Sequence, residues 1–278
     1  MTTPEQPGLL LRLSGPLQSW GERSHFNERD TSGFPTRSGV IGLHAAALGR
    51  HRDDSIEDLA QLSITIRADR PGVLLRDLHT VGGGLPPKAT VTTAEGKKRS
   101  GDTTTLLTHR TYLADAAFTL ALTAPDGDAE ILDQVAAGLT NPHWPPYLGR
   151  RSCPPEGPVL LGRCDDVLHH LVHLPVAAPR PKSATYGIDF LSDRPLDHLP
   201  APAGSAPAGT ETGVHPVGQV NDQPLSYHPR HRGYHTRPLY RRTLHLPADQ
   251  HTGLGIDHLT SLTAYLTEHL NQPEGSPR

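Results

Sequence analysis

Residues 8–49 read GLLLRLSGPLQSWGERSHFNERDTSGFPTRSGVIGLHAAALG, and three elements can be marked on them. Gly8 to Ser14 is an apolar run of strand length, and Gly15 and Pro16 end it. Gln18 to Arg37 is polar, is punctuated by Gly21, Gly33 and Pro35, and reads as a long loop. Ser38 is placed to cap a helix running from Gly39 to about Gly49, with Val40, Ile41, Leu43, Ala47 and Leu48 on one side. A strand followed by a helix opens a split β-α-β unit, and the rest of the first half continues it. Asp54 or Ser55 starts a short second helix through Leu62. Ile64, Ile66 and Ala68 alternate as in a strand, and Val73 to His79 is a further strand. Thr80 to about Thr105 changes character, being rich in Gly and Thr, carrying Lys97, Lys98 and Arg99, and lacking a core pattern, so it reads as a protruding hairpin or arm. Leu106 to Leu113 resumes the chain's apolar pattern and Ala117 to Thr123 is a strand. Asp128 to Leu139 is a helix with Ile131, Leu132, Val135 and Leu139 on one face, and Pro158 to Arg163 is a strand. The order is strand, helix, strand, strand, helix, strand with an insertion before the third strand. The expected fold class is therefore α+β, a ferredoxin-like (RRM-like) N-terminal domain with an inserted hairpin.

The second half is less regular. Pro200 to Gly218 is low-complexity and reads as a disordered loop. Leu259 to Leu270 is expected to close the chain as a helix. LHHLVHL, residues 168–174, is read as a half-exposed strand that scatters His169, His170 and His173 over both faces.

Composition removes several classes of function. The 278 residues hold no run of 18 apolar residues, so no membrane helix is expected. The first eight residues lack the basic-then-apolar pattern of a secretory signal, which makes a reducing cytoplasm the default. Two cysteines, Cys153 and Cys164, with ten residues between them, exclude a disulfide scaffold and a four-cysteine zinc site. HExxH, GxxxxGK[ST] and GxSxG are all absent, so no metal and no cofactor are expected. The histidine pairs are read as ordinary surface residues.

A net charge of -3 does not call for nucleic acid, but its distribution is uneven. Only Lys88, Lys97, Lys98 and Lys182 are lysines among 26 cations, so arginine, the better partner for planar and phosphate groups, dominates. No acidic residue occurs from Gln223 to Ala248, a window holding Arg230, Arg232, Arg237, Arg241 and Arg242, whose use for RNA or for protein is left open. Three loops combine donors with a ring able to stack: Gln18, Ser19 and Trp20; His109, Arg110 and Tyr112; Tyr147, Gly149, Arg150 and Arg151. Cations for phosphates, rings for unstacked bases and glycines for close approach are what a single RNA strand needs. Trp20 also fits a core position, and Lys97 to Arg99 an ordinary solvated tip.

Several motifs together resemble the CasD family, a subunit of the type I-E CRISPR surveillance complex Cascade, within the repeat-associated RAMP superfamily. They are residues 11–49, RDDSIEDLAQL at 52–62, RDLHTV at 76–81, YLGRRSCPP at 147–155 and, more loosely, NDQPLSYHPRHRGYHTRPLYRR at 221–242. The likeness runs from about Gly8 to about Arg242. It implies a RAMP domain over residues 7–165, with a thumb at about 79–110 and a glycine-rich loop at about 145–157. A small, mainly β C-terminal domain over 166–278 follows, with its low-complexity loop at about 200–218. It implies that the chain grips the 5′ handle of the CRISPR RNA (crRNA) and caps the backbone filament. Implied partners are the backbone subunit CasC, the large subunit CasA, the other Cascade subunits and, through the complex, target DNA, with no membrane. The implied RNA-binding residues are Gln18, Ser19, Trp20, Arg37, Ser38, His79, Lys97, Lys98, Arg99, His109, Arg110, Tyr112, Tyr147, Gly149, Arg150 and Arg151. Type I-C relatives cut precursor RNA without metal using Tyr, Lys and His. His109, Arg110 and Tyr112 imitate that set, yet in type I-E a separate subunit, CasE, cuts. The chain is expected to be non-catalytic, with a metal-independent endoribonuclease as the alternative and a subunit that touches only protein as a further rival.

Overall fold

The computed structural model describes residues 6–22, 27–93, 96–99, 104–125, 128–202 and 213–270. Its elements are β1 (Gly8–Ser14), β2 (Leu17–Gln18), β3 (Glu28–Arg29), α1 (Arg37–Ala47), β4 (Ser63–Arg70), β5 (Val73–Val81), β6 (Leu106–Ala114), β7 (Ala117–Thr123), α2 (Ala129–Thr140), β8 (Leu160–Cys164), α3 (Val167–His173), β9 (Thr185–Ser192), β10 (Gly218–Ser226), β11 (Gly233–Pro247) and α4 (Gly255–His269). The architecture is mixed α and β, built on a curled antiparallel sheet ordered β10-β11-β9-β4-β7-β1-β8. β1 and β4 point the same way with β7 between them, antiparallel to both. β9 to β11 continue the same sheet through the β4–β9 pairing.

The leucine run of β1 follows from burial on both faces of the sheet. Leu9, Leu11 and Leu13 join the core covered by α1 and α2, with Ile41, Phe118, Leu120 and Leu132. Leu10 points the other way, into the core of α3 and α4, with Leu171, Phe190 and Leu262. A strand with two buried faces loses the polar alternation of a one-sided strand.

That second core encloses a charge. Arg67 on β4 is fully buried. Its Nε donates to Asp69 Oδ1 at 2.5 Å, its Nη1 to the carbonyls of Leu171 (2.8 Å) and Leu174 (2.7 Å), and its Nη2 to that of Pro175 (2.9 Å). Thr119 Oγ1 completes the group by donating to Asp69 Oδ2 at 2.8 Å. The guanidinium thus satisfies carbonyls at the C-terminal end of α3, where a cation is favoured.

Four local expectations are corrected. LHHLVHL is the helix α3, not a strand. Asp166 caps it by accepting from the His169 N–H, and Val167, Leu168, Leu171 and Val172 are buried at helical spacing. His169 and His173 therefore share a face, their rings stacked at 4.2 Å. Second, α1 starts at Arg37, so Ser38 lies inside the helix. The Arg37 N–H is satisfied by Asp222 Oδ2 from β10 at 2.7 Å, a distant cap that no local pattern reveals. Third, the helix expected through Leu62 is one 3₁₀ turn, Leu59–Gln61, because Ile56, Leu59 and Leu62 are buried at a spacing of three. Fourth, α4 begins at Gly255, four residues ahead of Leu259. Residues 203–212 of the low-complexity stretch lie outside the described residues. No described helix is long and apolar enough to cross a membrane.

His44 on α1 and His258 on α4 are buried, and burial pushes each pKa from 6.5 down to about 4. The unfolded chain takes up these protons below pH 6.5, and the folded chain resists until near pH 4. Stability is therefore full above pH 6.5 and falls as the pH drops, by up to about 1.4 kcal/mol per pH unit for each ring. Urea midpoints from pH 7 to pH 4.5 check this, and His44→Leu should flatten the fall; a midpoint independent of pH would contradict it. Arg67→Met should cost about 3–5 kcal/mol in the same assay at pH 7, since it leaves Asp69 buried without its cation.

Candidate nucleic-acid interface

A second sheet stands apart from the main one. β6 is its centre, with β5 along one side and β2 and β3 on the other. β5 and β6 pair along their whole length, from Val73↔Ala114 to Val81↔Leu106. Three segments far apart in sequence meet at the base of this hairpin, and the one expected as a loop at His109–Tyr112 is the strand β6 itself. The Ser19 N–H donates to the Leu148 carbonyl at 3.1 Å, and Ser19 Oγ to the Thr111 carbonyl at 3.1 Å. Gly149 sits at φ +85°, and a Cβ there would lie 1.7 Å from the Ser19 carbonyl oxygen. Only glycine fits that approach.

Arg150 ties the loops together. Its Nη1 donates to the Thr111 carbonyl at 3.3 Å and its Nη2 to the carbonyls of Arg29 and Asp30, both at 3.1 Å. Its guanidinium carbon lies 4.8 Å from the centre of the Tyr112 ring, which is itself buried.

The anticipated RNA-facing residues divide by orientation. Gln18 and Trp20 turn inward: the indole N–H donates to Gln18 Oε1 at 2.9 Å, and Gln18 Nε2 donates to the carbonyls of Leu13 (3.0 Å) and Ala116 (2.9 Å). Trp20 is fully buried against Gly39, where a Cβ would come within 2.6 Å of its ring, so it offers no face to a base. Arg37 is also inward, paired with Asp193 and donating to the Ala60 carbonyl at 2.8 Å. The Ser38 carbonyl accepts from Tyr227 Oη, so this pair of residues serves the junction of α1 with the C-terminal strands. Ser19, Tyr112, Gly149 and Arg150 form the frame of the face. Arg151 is exposed, and Tyr147 is half-buried.

On β6, strand alternation sets His109 on one face and Arg110 with Tyr112 on the other. His79 of β5 is half-buried and its Nε2 lies 2.6 Å from Asp77 Oδ2. Lys97, Lys98 and Arg99 lie beyond the strand ends. Leu106 is already about 20 Å along the strand from Tyr112, so this triplet is not part of the cluster at the base. Lys97 is exposed, while Lys98 Nζ donates to the Thr90 carbonyl at 3.0 Å and to Thr92 Oγ1 at 3.1 Å. One cation was missed by sequence reasoning: exposed Arg29, which β3 sets in register with Arg110. Two residues of strand inside a polar loop leave no periodicity to read. The opposite face of the hairpin carries three leucines more than half exposed, Leu74, Leu78 and Leu107, interleaved with Arg76 and His109.

The family model described as CRISPR-associated protein (Cas_Cas5) matches residues 8–240. CRISPR system Cascade subunit CasD of Escherichia coli (strain K12) is 39% identical over 167 residues, 56% of this chain and 70% of that protein. A chain of a solved CRISPR RNA-guided surveillance complex superposes with a TM-score of 0.78 at 40% identity, over 94% of this chain and 99% of that one. A solved Cas protein superposes with a TM-score of 0.54 at 30% identity, over 90% and 99%.

The two adjacent arginines should separate in a stability assay. Arg150→Ala removes a donor from three carbonyls, of which Thr111's keeps Ser19 Oγ, and should cost about 1–3 kcal/mol, whereas exposed Arg151→Ala should stay within about 0.5 kcal/mol. Gly149→Ala should cost more than about 2 kcal/mol, from its left-handed backbone and the collision with Ser19. Urea denaturation of the variants checks all of these, and equal midpoints would contradict the assignment.

Proposed function

Since the chain belongs to the CRISPR-associated Cas5 family, we propose that it is the non-catalytic crRNA-binding subunit of a type I-E Cascade complex, gripping the 5′ handle and capping the backbone filament. The observation that carries this reading is the convergence of residue 19, strand residues 110–112 and the loop 147–151 around Arg150 and Gly149. Residues 7–165 are a ferredoxin-like RAMP domain in this reading. Its strands β8-β1-β7-β4 and helices α1 and α2 follow the split β-α-β plan, with β5–β6 as the thumb. Residues 166–278 are a small C-terminal unit added at the β4 edge, and the assembly works in the cytoplasm.

The roles differ from residue to residue. Ser19, Gly149, Arg150 and Tyr112 shape the concavity. Arg29, Arg110, Tyr147 and Arg151 line it toward a strand of RNA, where arginine forks take phosphates and rings take unstacked bases. Lys97, Lys98, Arg99, His79 and His109 act along the thumb, further down the guide. The open leucines of the β5–β6 hairpin, Leu74, Leu78 and Leu107, seat a protein neighbour, the backbone subunit CasC. The contacts with CasA and the remaining subunits rest on the CasD likeness alone.

The endoribonuclease alternative needs a base, a cation and a hydroxyl beside one scissile phosphate. Here His109 faces away from Arg110, and the Tyr112 ring is buried under Arg150. That geometry favours the binding role. Repeat RNA incubated with the chain in EDTA should stay intact; site-specific cutting lost on His109→Ala would overturn the reading.

Handle-RNA affinity measured against salt tests the grip. The log–log slope should fall by about 0.7 for each phosphate contact removed, hence by about 1.4 for Arg29→Ala with Arg151→Ala. A slope unchanged by the pair, with the fold intact, would remove these residues from the interface.

A further inference from the structure

β10 and β11 form a second hairpin, on the edge of the main sheet remote from β8. From Gln223 through the end of β11 it holds no acidic residue, Asp222 on β10 being its one carboxylate. The arginines toward its base are consumed by the fold. Arg237 is paired with Asp222, with Nε to Oδ1 at 2.6 Å, and Arg241 with Asp189 at 2.7 Å. Arg242 Nη1 donates to the Leu196 carbonyl at 2.8 Å. At the tip no carboxylate within the described residues pairs with Arg230 or Arg232, and both are exposed along with His231 and His235.

The tip is shaped as well as charged. The Arg230 N–H donates to His228 Nδ1 at 3.2 Å, and the His231 N–H to the His228 carbonyl at 3.1 Å, which fixes the turn. The rings of His228 and His231 stack at 5.0 Å. Arg232 lies over the Tyr234 ring at 5.5 Å, and its Nε donates to Tyr234 Oη at 2.5 Å, so the guanidinium is held with its remaining donors turned outward. Tyr227 Oη, donating to the Ser38 carbonyl at 2.5 Å, anchors the turn end of the hairpin on α1.

We propose that this tip is a second phosphate-backbone binding site, distinct from the handle face, with Arg230 and Arg232 as the phosphate ligands and the His228–His231 pair as an adjoining flat surface. A protein interface is built around an apolar centre, and from residue 227 to residue 236 Pro229 is the only exposed apolar side chain, with Leu225 at the edge. Fixed guanidiniums beside planar rings suit a polyanion with bases. The phosphodiesters come either from the guide outside its handle or from duplex DNA, and the two arms of the test distinguish them.

The test measures binding of the full chain to a single-stranded RNA lacking the handle and to a DNA duplex of unrelated sequence, across a salt series. Arg230→Ala with Arg232→Ala should weaken at least one probe about fivefold or more at low salt. It should lower the slope by about 1.4 for the RNA or about 1.8 for the duplex. Arg230→Lys with Arg232→Lys should restore most of the slope, since charge is kept. Handle-RNA binding of the alanine pair should stay sensitive to Arg151→Ala, so the tip and the handle face fail independently. Unchanged affinity for both probes in a folded alanine variant would overturn the proposal. So would unchanged affinity together with loss of another Cascade subunit on co-purification, which would make the tip a protein contact.

Discussion

A backbone contact between two loops organises the candidate face. Gly149 lies so close to the Ser19 carbonyl that no side chain fits between them. That contact sets the 145–157 loop against the start of the chain and delivers Arg150 over Tyr112, where its donors collect carbonyls from β6 and from the segment after β3. Four stretches of chain are held by one guanidinium and one missing Cβ. The exposed cations Arg29 and Arg151 and the half-buried Arg110 stand on this frame.

The second theme is a division of labour among arginines. Arg67 and Arg37 are internal: one satisfies the carbonyl end of α3 and the other joins α1 to the C-terminal strands through Asp193. Arg237, Arg241 and Arg242 secure the β9–β11 region. In a chain with 22 arginines and four lysines, the fork geometry serves the fold at Arg37, Arg67, Arg150, Arg237, Arg241 and Arg242. Composition alone cannot separate these uses, because an arginine that donates to a buried carbonyl and one that faces solvent look alike in sequence.

This explains what could be read in advance. The elements of the first half were legible because their signals are local: the leucine run of β1, the face of α2 with Asp128 at its cap, the alternation in β4. Shared chemistry marked the three segments that meet, but not that the second is strand β6 or that the Trp20 ring of the first is in the core. The directions of Trp20, Arg37 and Arg150 were not legible, since each is decided by a partner more than ten residues away: Gly39 against the Trp20 ring, Asp193 for Arg37, Thr111 for Arg150. Helix α3 was misread because HHLVH suits either period, and the cap at Asp166 that settles it lies just outside the apolar run.

The most direct test of the central claim is photocrosslinking of a 5′-handle RNA to the chain within its assembled complex, mapped to single residues. Crosslinks concentrated at Tyr147, Arg151, Arg110 and Arg29 are expected, with Trp20 and Arg37 silent. Crosslinks from the handle to α3 and α4, with none around Gly149, would contradict the account.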